Sequence, residues 1–159
     1  MAKNRNITKE KAEEIISSLL PIIWIGVTFL LSSQKGESSS AMSAELARMI
    51  RDTLELPMMV KDVNHILRMS AHIFMFGTEG ILLMNALKKY KYRMLFSISA
   101  CTAISVIDEA HKIMIPGRHC HPNEIVLNII SAVITILISG MVLYVLQEVK
   151  RPIRLKERI

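Results

Sequence analysis

Cysteine is scarce in this chain, with two in 159 residues, and their positions exclude a disulfide framework. Cys101 falls in the middle of an apolar segment and Cys120 beyond its end, too far apart along a helix axis to bridge. Aromatic side chains make up only 5% of the sequence. The excess of Lys and Arg behind the net charge of +6 therefore has no interleaved rings for bases to stack on, and nucleic acid is excluded as a partner. Charge is missing altogether from Ile15 to Ser32 and from Ile125 to Leu146, runs of about 18 and 22 residues that are each long enough to span a bilayer. With a hydrophobic fraction of 51% and a mean hydropathy of +0.35, these runs point to a membrane protein.

Two further segments, Met69 to Leu87 and Met94 to Ile115, are long and apolar but carry polar residues. The expected fold class is all-α: a polytopic membrane protein with four transmembrane helices, an amphipathic interfacial helix between the first two, and both termini cytoplasmic. The first run follows Lys3, Arg5, Lys9 and Lys11 as a signal peptide would, but its apolar part is longer than a usual signal core. Ser-Ser-Gln-Lys-Gly-Glu after it offers no small-x-small cleavage site, so it reads as a retained helix. Basic residues set the orientation. They gather in the N-terminal tail, in Lys88-Lys89-Tyr90-Lys91-Tyr92-Arg93, and after Gln147, which puts these three segments on the cytoplasmic side and in contact with anionic lipid. The expected domains are a tail over 1–14, a transmembrane domain over 15–146 and a basic tail over 147–159. A multi-pass location in a membrane, with the basic segments on its cytoplasmic side, follows.

Between the first two membrane segments, Ser33 to Ser40 reads as a polar linker. Residues 41–56 read as an amphipathic helix with Ala47, Ile50 and Leu54 on one face, ended by Pro57. It lies either flat on the outer leaflet or as a lid on the bundle.

Polar residues in the remaining segments fall into stripes. His65, Arg68, His72 and Glu79 share a face of the second, and Thr102, Ser105, Asp108, Glu109 and Lys112 a face of the third. Glu124, Asn128, Ser131, Thr135 and Ser139 follow steps of three and four in the last. Turned inward, the three stripes make a hydrophilic funnel opening outward. The densest set is Asp108, Glu109, His111, Lys112, Arg118, His119, His121 and Glu124. From Arg93 the apolar run reaches Asp108 after about 21 Å of helix, short of the roughly 30 Å hydrocarbon layer. The third helix is therefore expected to continue to Ile115, where Pro116-Gly117 stops it, with Asp108 and Glu109 inside the membrane.

Several chemistries suit this set. Asp108 precedes His111 by three residues and Lys112 by four, so both bases can reach it, and His111, Asp108 and Glu109 are the candidate catalytic residues of a hydrolase or transferase. Arg118 can swing back over the cluster, and its fork suits phosphate or carboxylate. His111, His119 and His121 supply ligand types for zinc, but no zinc signature such as His-Glu-x-x-His is present. No metal or other cofactor is expected. Ser32 and Ser33 read as helix-end capping rather than as a nucleophile. Against all of these stands the plain reading that buried charges pair to hold helices in register.

The run Asp108-Glu109-Ala110-His111-Lys112, then Pro116-Gly117-Arg118, then Glu124 and Asn128, resembles the VanZ-like family of small bacterial membrane proteins. Ser32-Ser33-Gln34 and Arg68 with Ala71-His72 agree with two further motifs of that family. The resemblance covers about Leu31 to Gly140. The chain departs from the pattern at Lys112, where glutamine is usual, at Met69 for lysine, Ile73 for phenylalanine, Met75-Phe76 for Glu-Tyr and Ser131 for glycine. The resemblance implies a cell-envelope protein linked to resistance to teicoplanin, a glycopeptide with a lipid tail. Its expected ligand set is Gln34, Arg68, His72, Asp108, Glu109, His111, Arg118, Glu124 and Asn128. The expected partners are membrane lipid and a lipid-linked cell-wall precursor or lipoglycopeptide. A membrane-embedded enzyme and a structural subunit of a larger complex are the alternatives, and the sequence leaves the oligomeric state open.

Overall fold

The computed structural model describes residues 2–156 as five helices: α1 (Ala2–Ser32), α2 (Gly36–Thr53), α3 (Val60–Ala86), α4 (Arg93–Lys112) and α5 (Pro122–Lys156). No strand occurs among the described residues. Three helices hold a stretch long and apolar enough to cross a membrane, Glu10–Ser32, Val60–Ala86 and Pro122–Leu146. The fourth expected span, α4, falls outside this set because Arg93, Asp108, Glu109 and Lys112 share its 20 residues.

Apolar side chains crowd the outside of the bundle. Ile15, Ile22 and Leu30 on α1, Phe74 and Ile81 on α3, and Ile130, Leu137 and Met141 on α5 are all exposed. Water would oppose this arrangement and hydrocarbon would not.

Several helix boundaries differ from the sequence expectation. Both terminal tails continue as helix, from Ala2 into α1 and through Lys156 at the end of α5. The linker read over Ser33 to Ser40 is cut short, since α2 begins at Gly36, where Glu37 in the first turn suits the helix dipole. The same helix ends at Thr53, before Pro57, and the chain leaves it through Glu55 at φ 49°. At its other end α4 stops at Lys112 instead of Ile115. Ile113, Met114 and Ile115 bond three residues back, to Ala110, His111 and Lys112, so the coil tightens before Pro116.

The interior is graded along its length. Near the α3–α4 connection Met84, Cys101, Ala132 and Ile136 form an apolar cluster, flanked by Leu83, Met94 and Ile98. The α3–α5 contact is close there: a Cβ on Gly80 would come within 3.2 Å of the Ala132 carbonyl oxygen. Small interfacial residues bring membrane helices together in this way. Further along, α4 buries Ser97, Cys101, Ser105, Asp108, Glu109 and Lys112 on one face. Helix α1 leans on α3, with the Trp24 indole donating to the Met75 carbonyl at 2.9 Å and meeting Phe74 edge-on at 5.8 Å. The α2 end of the bundle gathers the acids and bases, and the opposite end holds the Glu14–Lys89 ion pair at 2.6 Å.

Candidate functional site

Lys112 organises the α2 end. It is 2% exposed; its ammonium pairs with Glu109 one turn back and with Glu124 at 2.8 Å across the turn to α5, and lies 3.8 Å from Asp108. Glu109, fully buried, uses its second oxygen to accept from the His121 amide at 3.1 Å. One carboxylate thus ties the 113–121 loop to α4. Glu124 stands in the first turn of α5, where the helix dipole favours a negative charge.

A second chain of contacts leaves Glu124 toward α3. His72 Nε2 lies 3.2 Å from the Glu124 oxygen that Lys112 also holds, and His72 Nδ1 is 3.0 Å from the Asn128 amide oxygen. The Asn128 amide nitrogen donates to Ser105 Oγ at 3.1 Å. The His72 ring thus bridges Asn128 and Glu124, with one nitrogen facing each. Glu109, Lys112, Glu124, His72, Asn128 and Ser105 therefore satisfy one another and join α3, α4 and α5.

Above them the α4–α5 turn is stitched to the start of α2. Arg118 donates through Nε to the Gln34 carbonyl at 3.0 Å and through its terminal nitrogen to Ser39 Oγ at 2.9 Å. The Gly36 amide donates to the Pro116 carbonyl at 3.2 Å. Backbones touch here: a Cβ on Gly36 would lie 1.9 Å from the Gly117 oxygen, and Gly117 has φ +75°, which side chains other than glycine's rarely adopt.

Two cavities flank this stitch. A polar one of about 140 Å³ is lined by Arg68, Lys112, Arg118, His119, His121 and Glu124 among others. A larger one of about 350 Å³ runs between α1, α2 and α3, walled by Leu31, Met42, Leu46, Leu67, Met75 and Phe76, with Asp108, His72 and Arg68 also in its lining. Ser39, Arg68, Lys112 and Arg118 line both. Two of the lining groups are left over from the internal network. Neither oxygen of Asp108, which is 1% exposed, accepts a hydrogen bond among the described residues, and Arg68 makes no side-chain hydrogen bond or ion pair there.

The residues expected from sequence are thus divided. Arg68, Asp108 and Arg118 face a cavity with bonding capacity to spare. His72, Glu109, Glu124 and Asn128 are engaged with one another and with Lys112 and Ser105. Gln34 lines the larger cavity, and its backbone oxygen, not its amide, is what Arg118 uses.

His111 lines neither cavity. Its buried Nδ1 has no partner among the described residues, and its ring meets Phe29 edge-on at 5.7 Å. No hydrogen bond joins it to Asp108. Three residues of helix turn it about 60° from Asp108, toward α1, whereas Lys112 at four residues falls on the other side. His65, expected on the inner face, is exposed. His119 and His121 sit at the rim of the small cavity, and no group of three or more His, Cys, Asp or Glu able to hold a metal gathers among the described residues. The hydroxyl of Ser33 donates to the Phe29 carbonyl at 2.6 Å, the helix-end role. Both cysteines are free.

Lys112 and Ser105 were not among the expected ligand residues. The spacing of Lys112 from Glu109 and Asp108 was visible, but its partner Glu124 comes from across the turn.

No curated protein and no solved structure matches the chain. The VanZ/LLP1 family model does match, over residues 18–144, and those residues contain the Asp108–Lys112 run, the Pro116-Gly117-Arg118 turn, Glu124 and Asn128. This chain belongs to the VanZ/LLP1 family.

Proposed function

We propose that this is a four-span protein of the bacterial cytoplasmic membrane, with both termini cytoplasmic, whose outward-facing cavities bind an amphiphile. Counting α4 as a span is supported by its length, about 30 Å over 20 residues, and by the exposed apolar face formed by Leu95, Phe96, Val106 and Ile107. The orientation is supported by the basic segments, which belong to the end opposite α2.

The carrying observation is the wall common to the two cavities. Ser39, Arg68, Lys112 and Arg118 stand between a polar chamber and an apolar groove, the arrangement needed to hold an anionic head group on one side and a hydrocarbon tail on the other. The groove is at the small end of the usual range for ligand sites, about 300–1,000 Å³. A lipid-linked cell-wall precursor and a lipoglycopeptide such as teicoplanin are both amphiphiles of this kind, and family membership favours the connection to teicoplanin resistance. A hydrolase built on His111 and Asp108 finds less support, because the two do not bond and His111 lines neither cavity.

Binding of teicoplanin and of an undecaprenyl phosphate to the purified chain tests this reading, with Arg118→Ala and Arg68→Gln alongside. Loss of a charge-assisted contact weakens binding by about tenfold or more in each variant. Equal binding by the wild type and both variants overturns it.

A further inference from the structure

The bonding capacity left over at the site says more about the ligand than the cavities do. Asp108 is a buried carboxylate in the lining of the larger cavity, and neither of its oxygens is used. Its nearest cation is the Lys112 ammonium, 3.8 Å away, which already serves Glu109 and Glu124. Arg68 lines the same cavity and bonds to no side chain or backbone group among the described residues. The lining therefore holds an unsatisfied carboxylate, its oxygens almost closed off in the empty cavity, together with the unpaired Arg68 guanidinium and the spare nitrogen of Arg118. A bare anion such as a phosphate monoester satisfies the guanidinium and leaves the carboxylate desolvated, which is unfavourable.

The charges around the site point the same way. Asp108, Glu109 and Glu124 are three formal acids and Arg68, Lys112 and Arg118 three formal bases, so the formal charges of the set balance. A head group of zero net charge enters without leaving a buried excess of either sign.

Resting on the amphiphile reading above, we propose that the head group bound here is a zwitterion, an anionic phosphate or carboxylate held by Arg68 with a primary ammonium on a short arm that donates to Asp108. An N–H donor is required at Asp108, because a quaternary ammonium carries the charge but cannot make the hydrogen bond.

The test is retention of four lipids with matched acyl chains by the full-length chain in detergent, read by native mass spectrometry. The lipids are phosphatidylethanolamine, phosphatidylcholine, phosphatidylglycerol and phosphatidic acid. The expected result is retention of phosphatidylethanolamine over the other three by about tenfold, as for one charged hydrogen bond. Asp108→Asn removes that preference while phosphate-dependent retention persists. The comparison among lipids in the unmodified chain does not depend on any variant folding.

Saturable binding that Arg68→Gln weakens, but with ethanolamine and choline lipids held equally, overturns the zwitterion and leaves the amphiphile reading standing. A preference for phosphatidylglycerol overturns it in favour of a hydroxyl donor, and an ethanolamine preference unchanged in Asp108→Asn removes Asp108 from it. Saturable retention of none of the four lipids, nor of teicoplanin or undecaprenyl phosphate, overturns the amphiphile reading itself.

Discussion

Lys112 touches three carboxylates, and its removal leaves two of them, Asp108 and Glu109, almost fully buried without a cation. Breaking a buried pair by deleting one partner costs about 3–5 kcal/mol, so Lys112→Met is expected to lower the thermal unfolding midpoint in detergent sharply. Lys112→Gln keeps an N–H donor on a side chain one atom shorter, and is expected to lose less; a midpoint unchanged from the wild type in Lys112→Met would show that the ammonium is not what holds the acids. At this scale the sequence showed which residues are polar and which spacings face inward. It could not show which acids are consumed by internal pairing, because that depends on Glu124 and His121 returning across a turn, at a separation of 12 residues from Lys112 and Glu109. Glu79 was legible as an inward carboxylate, and it is 2% exposed with both oxygens unpartnered among the described residues.

Helix α2 was read from residue 41 because Gly36, Glu37 and three serines have the composition of a loop. Tertiary contact overrides that composition: the Gly36 amide bonds to Pro116, and its α-carbon lies against the Gly117 backbone. The same contact gives a prediction. Gly36→Ala cannot be accommodated at 1.9 Å from a backbone oxygen, so the start of α2 must move off the α4–α5 turn and take Ser39 away from Arg118. Hydrogen exchange at the amides of residues 36 and 118 is expected to accelerate by at least about tenfold, which corresponds to roughly 1.4 kcal/mol of lost local stability, with the centre of α5 unchanged. Unchanged exchange at both amides would mean that α2 is held from elsewhere. The early end assigned to α4 has a related cause. A change from four-residue to three-residue bonding after Lys112 leaves no mark in hydrophobic periodicity.

At the scale of the whole molecule, the number and order of helices were legible because apolar runs and basic clusters are properties of composition. The graded interior was not, since it needs α3, α4 and α5 to align their small and polar faces at one end. The proposed orientation is open to direct test with single cysteines in a Cys101→Ala, Cys120→Ser background. A cysteine at Glu45 on α2 is expected to react with a membrane-impermeant maleimide in intact cells, and one at Lys89 only after permeabilisation. The reverse pattern would invert the protein and with it the proposed access to the outer leaflet.

The hydrogen bonds from Arg118 to Gln34 and Ser39, with that from Gly36 to Pro116, draw the polar connections together beside the larger cavity, whose lining includes Gln34, Ser39 and Arg118. Leu31, Met42 and Leu46, which wall one flank of it, are themselves exposed. A guest admitted through that flank arrives sideways from the surrounding lipid. Occupancy then follows how many such molecules share the leaflet, and diluting the surrounding buffer leaves it unchanged.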